Sequence, residues 1–161
     1  MRLFTLPLLL LHTVAFVLGS TNPTNPLNDI KLTSEQWNEL RSSGIMILLA
    51  RGNSGLEIKI KKDSKLKVDD NIFNTLKPIS QHIVALDLSN SKVTSEGLVN
   101  LKNFLYLKSL NLSGVKLDNS VINNLTECSK LEVVNLKNTA FSEEDLKMLK
   151  TKLPELKIIL K

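Results

Sequence analysis

From Ile83 onward the chain places its apolar residues in one pattern and then repeats it. Ile83, Leu86 and Leu88 match Leu107, Leu110 and Leu112, and then Leu131, Val134 and Leu136, at a spacing of 24 residues. Each set reads L-x-x-L-x-L or a close aliphatic variant. Five residues past each set stand Val93, Leu117 and Phe141; ten past stand Leu98, Ile122 and Leu146; thirteen past stand Leu101, Leu125 and Leu149. Alternation followed by i, i+3 spacing predicts a strand and then a helix in every unit.

The joints between these segments carry helix-start signals. Thr94, Asp118 and Ser142 each follow an apolar residue and precede another four positions on. This is an N-cap with the two members of a hydrophobic staple, Val93 with Leu98, Leu117 with Ile122, and Phe141 with Leu146. Upstream, Leu32 and Trp37 flank Thr33, with Gln36 placed to complete a capping box, and Val68 and Phe73 flank Asp69. Helices are therefore expected after all of these caps.

The ends of the array read differently. "GIMILLARGNSGLEIKIK" holds two apolar runs around a turn in which Gly52, Asn53 and Gly55 suit positive φ, so a β-hairpin is expected. "LKIILK" at the C-terminus predicts a last strand with an open edge, guarded by Lys157 and Lys161.

Residues 1–19 stand outside this scheme. Arg2, an apolar run to Leu18 and the small pair Gly19 and Ser20 have the order of a secretory signal peptide, with Val17 and Gly19 at −3 and −1 of a cut before Ser20. The rival reading is a retained membrane anchor. Its apolar run is interrupted by Pro7 and His12 and falls short of the roughly 20 residues a spanning helix needs. Residues 20–31, with two Asn-Pro pairs, read as a disordered linker. Residues 32–82 are expected to form an N-terminal capping region of helix, hairpin and degenerate repeat, and residues 83–161 the repeats proper. Cys128 is the one cysteine, so no intrachain disulfide exists; it reads as a small buried hydrophobe.

The L-x-x-L-x-L pattern and its period resemble the leucine-rich repeat family. More narrowly, the stretch from about Ile45 to the end is similar to short bacterial cell-envelope repeats of the type L-x-L-x-x-T-x-V-T-D-x-x-L-x-x-L. The resemblance implies an α/β leucine-rich-repeat solenoid, one parallel strand and one helix per repeat, in which each unit is the next unit's hydrophobic partner. Some such relatives carry c-type cytochrome modules, but this chain has no C-x-x-C-H, so haem does not carry over. Repeats of this family often hold Asn, Cys or Thr in the turn after the strand; here those positions are Ser91, Val115 and Thr139, and the Val115 side chain has no hydrogen-bonding group.

In this arrangement the concave sheet face is the expected contact surface for a protein or peptide partner. Its middle column is Asp87, Asn111 and Asn135. Beside it run Ala85, Ser109 and Val133 on one side and Ser89, Ser113 and Lys137 on the other. Because the middle column faces outward, replacing Asn111 with Ala is expected to leave folding nearly unchanged. A second surface is the run Lys59, Lys61, Lys62, Lys65 and Lys67, which suits an anionic glycan or membrane, or merely keeps an edge strand soluble. A third reading is a structural unit that self-associates through its C-terminal edge.

Composition narrows the rest. The net charge of +5 is moderate, and aromatics at 4% are too sparse for base stacking, so nucleic acid is not expected as a partner. Residues after the leader hold a single histidine, His82, and no G-x-S-x-G, H-E-x-x-H or phosphate-binding glycine loop. No catalysis, metal or cofactor is expected. Asn111 and Asn124 begin N-x-S/T sequons, of which Asn124 is the better glycan acceptor. The expected location is secreted or periplasmic, without stable membrane insertion once the leader is removed.

Overall fold

The computed structural model describes residues 30–61 and 67–160. The leader, most of the linker, Lys62 and Lys65 of the lysine run, and Lys161 lie outside the described residues. The elements are α1 (Ser34–Ser42), β1 (Ile45–Leu49), β2 (Leu56–Ile60), α2 (Asn71–Leu76), β3 (Ile83–Asp87), β4 (Ser109–Asn111), α3 (Val121–Thr126), β5 (Val133–Asn135), α4 (Glu143–Lys152) and β6 (Lys157–Ile159). They form an α/β fold. One six-stranded sheet runs in chain order from β1 to β6. β1 and β2 are an antiparallel hairpin, and each later strand joins its predecessor in parallel.

The repeated pattern becomes register. Leu86 lies beside Leu110, Leu110 beside Val134, and Val134 beside Ile158, with Ile58 continuing the row toward the hairpin. A 24-residue period therefore stacks one aliphatic side chain on the next across the sheet. Ile58, Leu86, Leu110 and Val134 are at most 1% exposed. Each such side chain contributes about 1.5–3 kcal/mol through its burial. The leucines that flank the strands, Leu88, Leu107 and Leu112, are equally buried, and both members of the Val93–Leu98, Leu117–Ile122 and Val68–Phe73 staples enter the core.

The hairpin forms as the turn signal predicts. Gly52 and Gly55 take φ of 71° and 151°. The Ala50 N–H donates to Gly55 O and the Lys61 N–H to Gly44 O, each at 2.9 Å. The final strand is also present, as β6.

The helices differ more from expectation. Thr33 and Ser142 make full capping boxes, with Gln36 and Asp145 respectively. Asp69 and Asp118 instead accept from the N–H two residues on, at Asn71 and Ser120, and the helix begins after that turn. Thr94 does accept the Gly97 N–H at 3.1 Å, yet it leads into a 3-10 segment, Gly97–Asn103, and not an α-helix. The sequence of that segment, GLVNLKN, holds a glycine, a β-branched residue and two asparagines, all weak helix formers. A second 3-10 segment, Lys77–His82, extends α2 where Pro78 removes a backbone donor.

Candidate functional site

The face of the sheet opposite the leucines is built by the same register. Ala85, Ser109, Val133 and Lys157 lie side by side on successive strands, and Asp87, Asn111, Asn135 and Ile159 form the next row. Five expected contact residues, Asp87, Ser109, Asn111, Val133 and Asn135, line one shallow trough of about 250 Å³. Glu57, Lys59, Ala85 and Ile159 are among the other residues that line it. Ser113 and Lys137 do not line it; they sit two residues past the strands, in the turns.

The middle row is tied down from within. Asp87 Oδ1 accepts the Ser89 N–H at 2.9 Å, Asn111 Oδ1 the Ser113 N–H at 3.1 Å, and Asn135 Oδ1 the Lys137 N–H at 3.0 Å. Each strand thus ends in an Asx turn, the local bond for which Asn and Asp are favoured over most residues. This gives the Asn111 side chain a place in the turn, which an outward-facing column alone does not require. It also fixes the side-chain direction. One oxygen is held by the turn, and the other polar atom of each group remains for the trough: a second carboxylate oxygen at Asp87 and an NH₂ group at Asn111 and at Asn135.

The next turn position has its own rule. Asn90, Gly114 and Asn138 have φ of 54°, 72° and 56°. These are the residue types that reach the left-handed region most readily. Their N–H groups continue the ladder, from Asn90 to Ser113 O and from Gly114 to Lys137 O, both at 2.9 Å. The residue after each closes the turn through its backbone, since the Val115 N–H reaches Leu112 O at 3.1 Å as Ser91 and Thr139 do with Leu88 and Leu136. Val115 is therefore served without a side-chain donor, and its isopropyl group is buried instead. The column Asn90, Gly114, Asn138 was visible in the sequence as three left-handed-tolerant residues at the repeat spacing.

The lysine run divides. Lys59 lies in the trough wall and pairs with Glu57 at 2.9 Å. Lys61 Nζ donates to Arg41 O at 3.3 Å, at the C-terminal end of α1, where a cation is favourable. Lys67 lines a separate surface pocket that Glu39 and Asp69 also line. Lys59 and Lys61 are thus each engaged within the fold.

The remaining reactive groups occupy structural places. Cys128 is 3% exposed, and burial, helped by Glu127, raises its thiol to about 11, which suppresses the reactive thiolate. Asn124 Nδ2 donates to Ser95 O at 3.3 Å, so a glycan on that nitrogen would disturb this link between neighbouring units. Among the described residues no three His, Cys, Asp or Glu side chains converge as metal ligands. Among them, too, no helix is long and apolar enough to cross a membrane.

The chain matches no protein-family model and no curated relative.

Proposed function

We propose that the stretch from the hairpin to β6 is a leucine-rich-repeat solenoid, and that it works as a protein-binding module, secreted or periplasmic, with the trough face of its sheet as the contact surface. The carrying observation is the preorganised row Asp87, Asn111 and Asn135. The three side chains sit on adjacent strands at about 4.8 Å spacing. Their turn bonds remove rotamer freedom that a partner would otherwise have to freeze. Asn111 and Asn135 then offer amide donors to carbonyl groups, and Asp87 offers a carboxylate oxygen. Lys59 already neutralises Glu57, so Asp87 is the acid left for a basic group.

The chemistry suits an extended peptide with a Lys or Arg side chain over Asp87 and carbonyl oxygens over the two asparagines. The trough runs from β2 to β6, about 20 Å across, which matches a peptide or loop better than a standard interface of about 800 Å² per partner. The reaction chemistry of an enzyme plays no part in this reading.

The test is a pull-down from the source organism's envelope or culture fluid. The bait would be compared with a variant carrying Asp87→Asn, Asn111→Asp and Asn135→Asp. Each change keeps the Oδ1 acceptor of the Asx turn and alters only the free atom. A partner held by the wild type and lost by the variant supports the trough as the binding face. A partner held equally by both moves the contact elsewhere and overturns this reading. Loss restricted to high salt would instead favour the lysine surface.

A further inference from the structure

The sheet has two ends, and they are built differently. At one end stands β6, three residues long, with Lys157 exposed and the Lys150 ammonium donating to Leu156 O. A short edge with lysine on it resists pairing with another strand. At the other end stands β1, the five residues IMILL, with no charge and no proline. Among the described residues nothing pairs with its outer side.

The hydrogen-bond parity of β1 says which groups are left there. Gly44 and Ala50, which bracket the strand, both bond to the β2 side. Antiparallel bonds recur at every second residue, so Met46 and Leu48 also point their backbone groups at β2. Ile45, Ile47 and Leu49 therefore turn N–H and C=O outward. The side chains add to this. Met46 and Leu48 are 40% and 38% exposed on the trough face. Ile47 and Leu49 are only partly buried on the other face.

We propose that β1 is a homodimer seam, on which β1 of a second copy pairs antiparallel about a two-fold axis at Ile47. The strand is self-complementary for this. Ile47 would face the second copy's Ile47, and Ile45 its Leu49, in pairs that exchange both backbone bonds. Met46 would face the second copy's Leu48 in the pair type with the closest side chains. Every facing pair is apolar, so no charge opposes closure. An isologous seam of this kind closes at two copies, because each β1 is used up by the other. The lysine-guarded β6 disfavours the alternative, head-to-tail joining into open filaments.

The experiment is sedimentation equilibrium of the purified full chain over a wide concentration range, with amide hydrogen exchange on the same samples. The wild type should approach twice the monomer mass as concentration rises. The Ile45, Ile47 and Leu49 amides should become protected in step with it. The double variant Met46→Lys with Leu48→Lys places like charges opposite each other across the seam and should be monomeric. Met46→Lys with Leu48→Glu places unlike charges there and should dimerise again. Both changes sit on exposed positions, and circular dichroism checks the fold. A wild type that stays monomeric, a dimer that ignores both variants, or β1 amides that exchange independently of concentration would each overturn the proposal. Met46 and Leu48 stand opposite Lys59 and Glu57 of the trough wall but are not among the Asp87, Asn111 and Asn135 row, so the two tests change different residues.

Discussion

Asn111 Oδ1 accepts the Ser113 N–H at 3.1 Å, a bond that closes the first step of the turn out of the middle strand. The same bond recurs one repeat earlier and one repeat later, at Asp87 and Asn135. Removing the acceptor leaves a part-buried N–H without its partner. Asn111→Ala should therefore cost about 0.5–1.5 kcal/mol. Asn111→Asp keeps the acceptor and should cost clearly less. Urea denaturation of the two variants beside the wild type checks this. Equal midpoints for Asn111→Ala and the wild type would mean that the bond contributes nothing.

Leu110 tests the register from the opposite face. It lies between Leu86 and Val134 on neighbouring strands and is 1% exposed. Leu110→Ala opens a cavity with packed strands on both sides, so little collapse is available. The expected loss is about 2–5 kcal/mol, read from chemical denaturation at constant slope. A loss well under about 1 kcal/mol would show that the aliphatic row is not tightly packed.

Gly114 carries a conformational demand and a spatial one. Its φ is 72°, and a Cβ there would stand 2.3 Å from Asn90 Oδ1. The second obstacle is mild, since Asn90 is exposed and its carboxamide can swing away. The first is not, because an alanine in the left-handed region costs about 1–2 kcal/mol. Gly114→Ala should lose about that much, and Gly114→Asn should lose less, since Asn already occupies this position at residues 90 and 138. Thermal melts of the two variants order them. An alanine variant as stable as the asparagine one would contradict the argument.

These residues also mark how far a sequence can be read. The strand leucines were legible because burial on a period of 2, repeated every 24 residues, has one good solution: stacked parallel strands. The hairpin was legible because its two glycines sit between two apolar runs. The Asx turns were not, because Asp and Asn on an outward column satisfy a binding reading and a turn reading equally well. Only the distance to the N–H two residues on separates them. The 3-10 segment after Thr94 was hidden for a related reason. Its apolar spacing, Leu98 and Leu101, fits an α-helix and a tighter 3-10 turn alike, and propensity decided between them. Contacts between units, such as Thr94 Oγ1 donating to Asp70 Oδ2 at 2.7 Å, join residues 24 apart and leave no local trace.

Asp118 supplies the pH dependence. Its carboxyl is held below the ordinary 3.8, first by the Ser120 hydroxyl and then by the Ser120 N–H, with Ser95 adding a smaller contribution. A carboxylate whose folded value is depressed stabilises the fold fully above its unfolded value. That contribution is lost as pH falls from there through the folded value. The wild type should therefore outlast Asp118→Asn at neutral pH, and the gap between their melting temperatures should narrow below about pH 4, where the carboxyl of the unfolded chain takes up its proton. Melting curves of both proteins from neutral pH down to about pH 2 would decide the matter: curves that fall in parallel throughout would show that the Asp118 charge does not hold the start of α3.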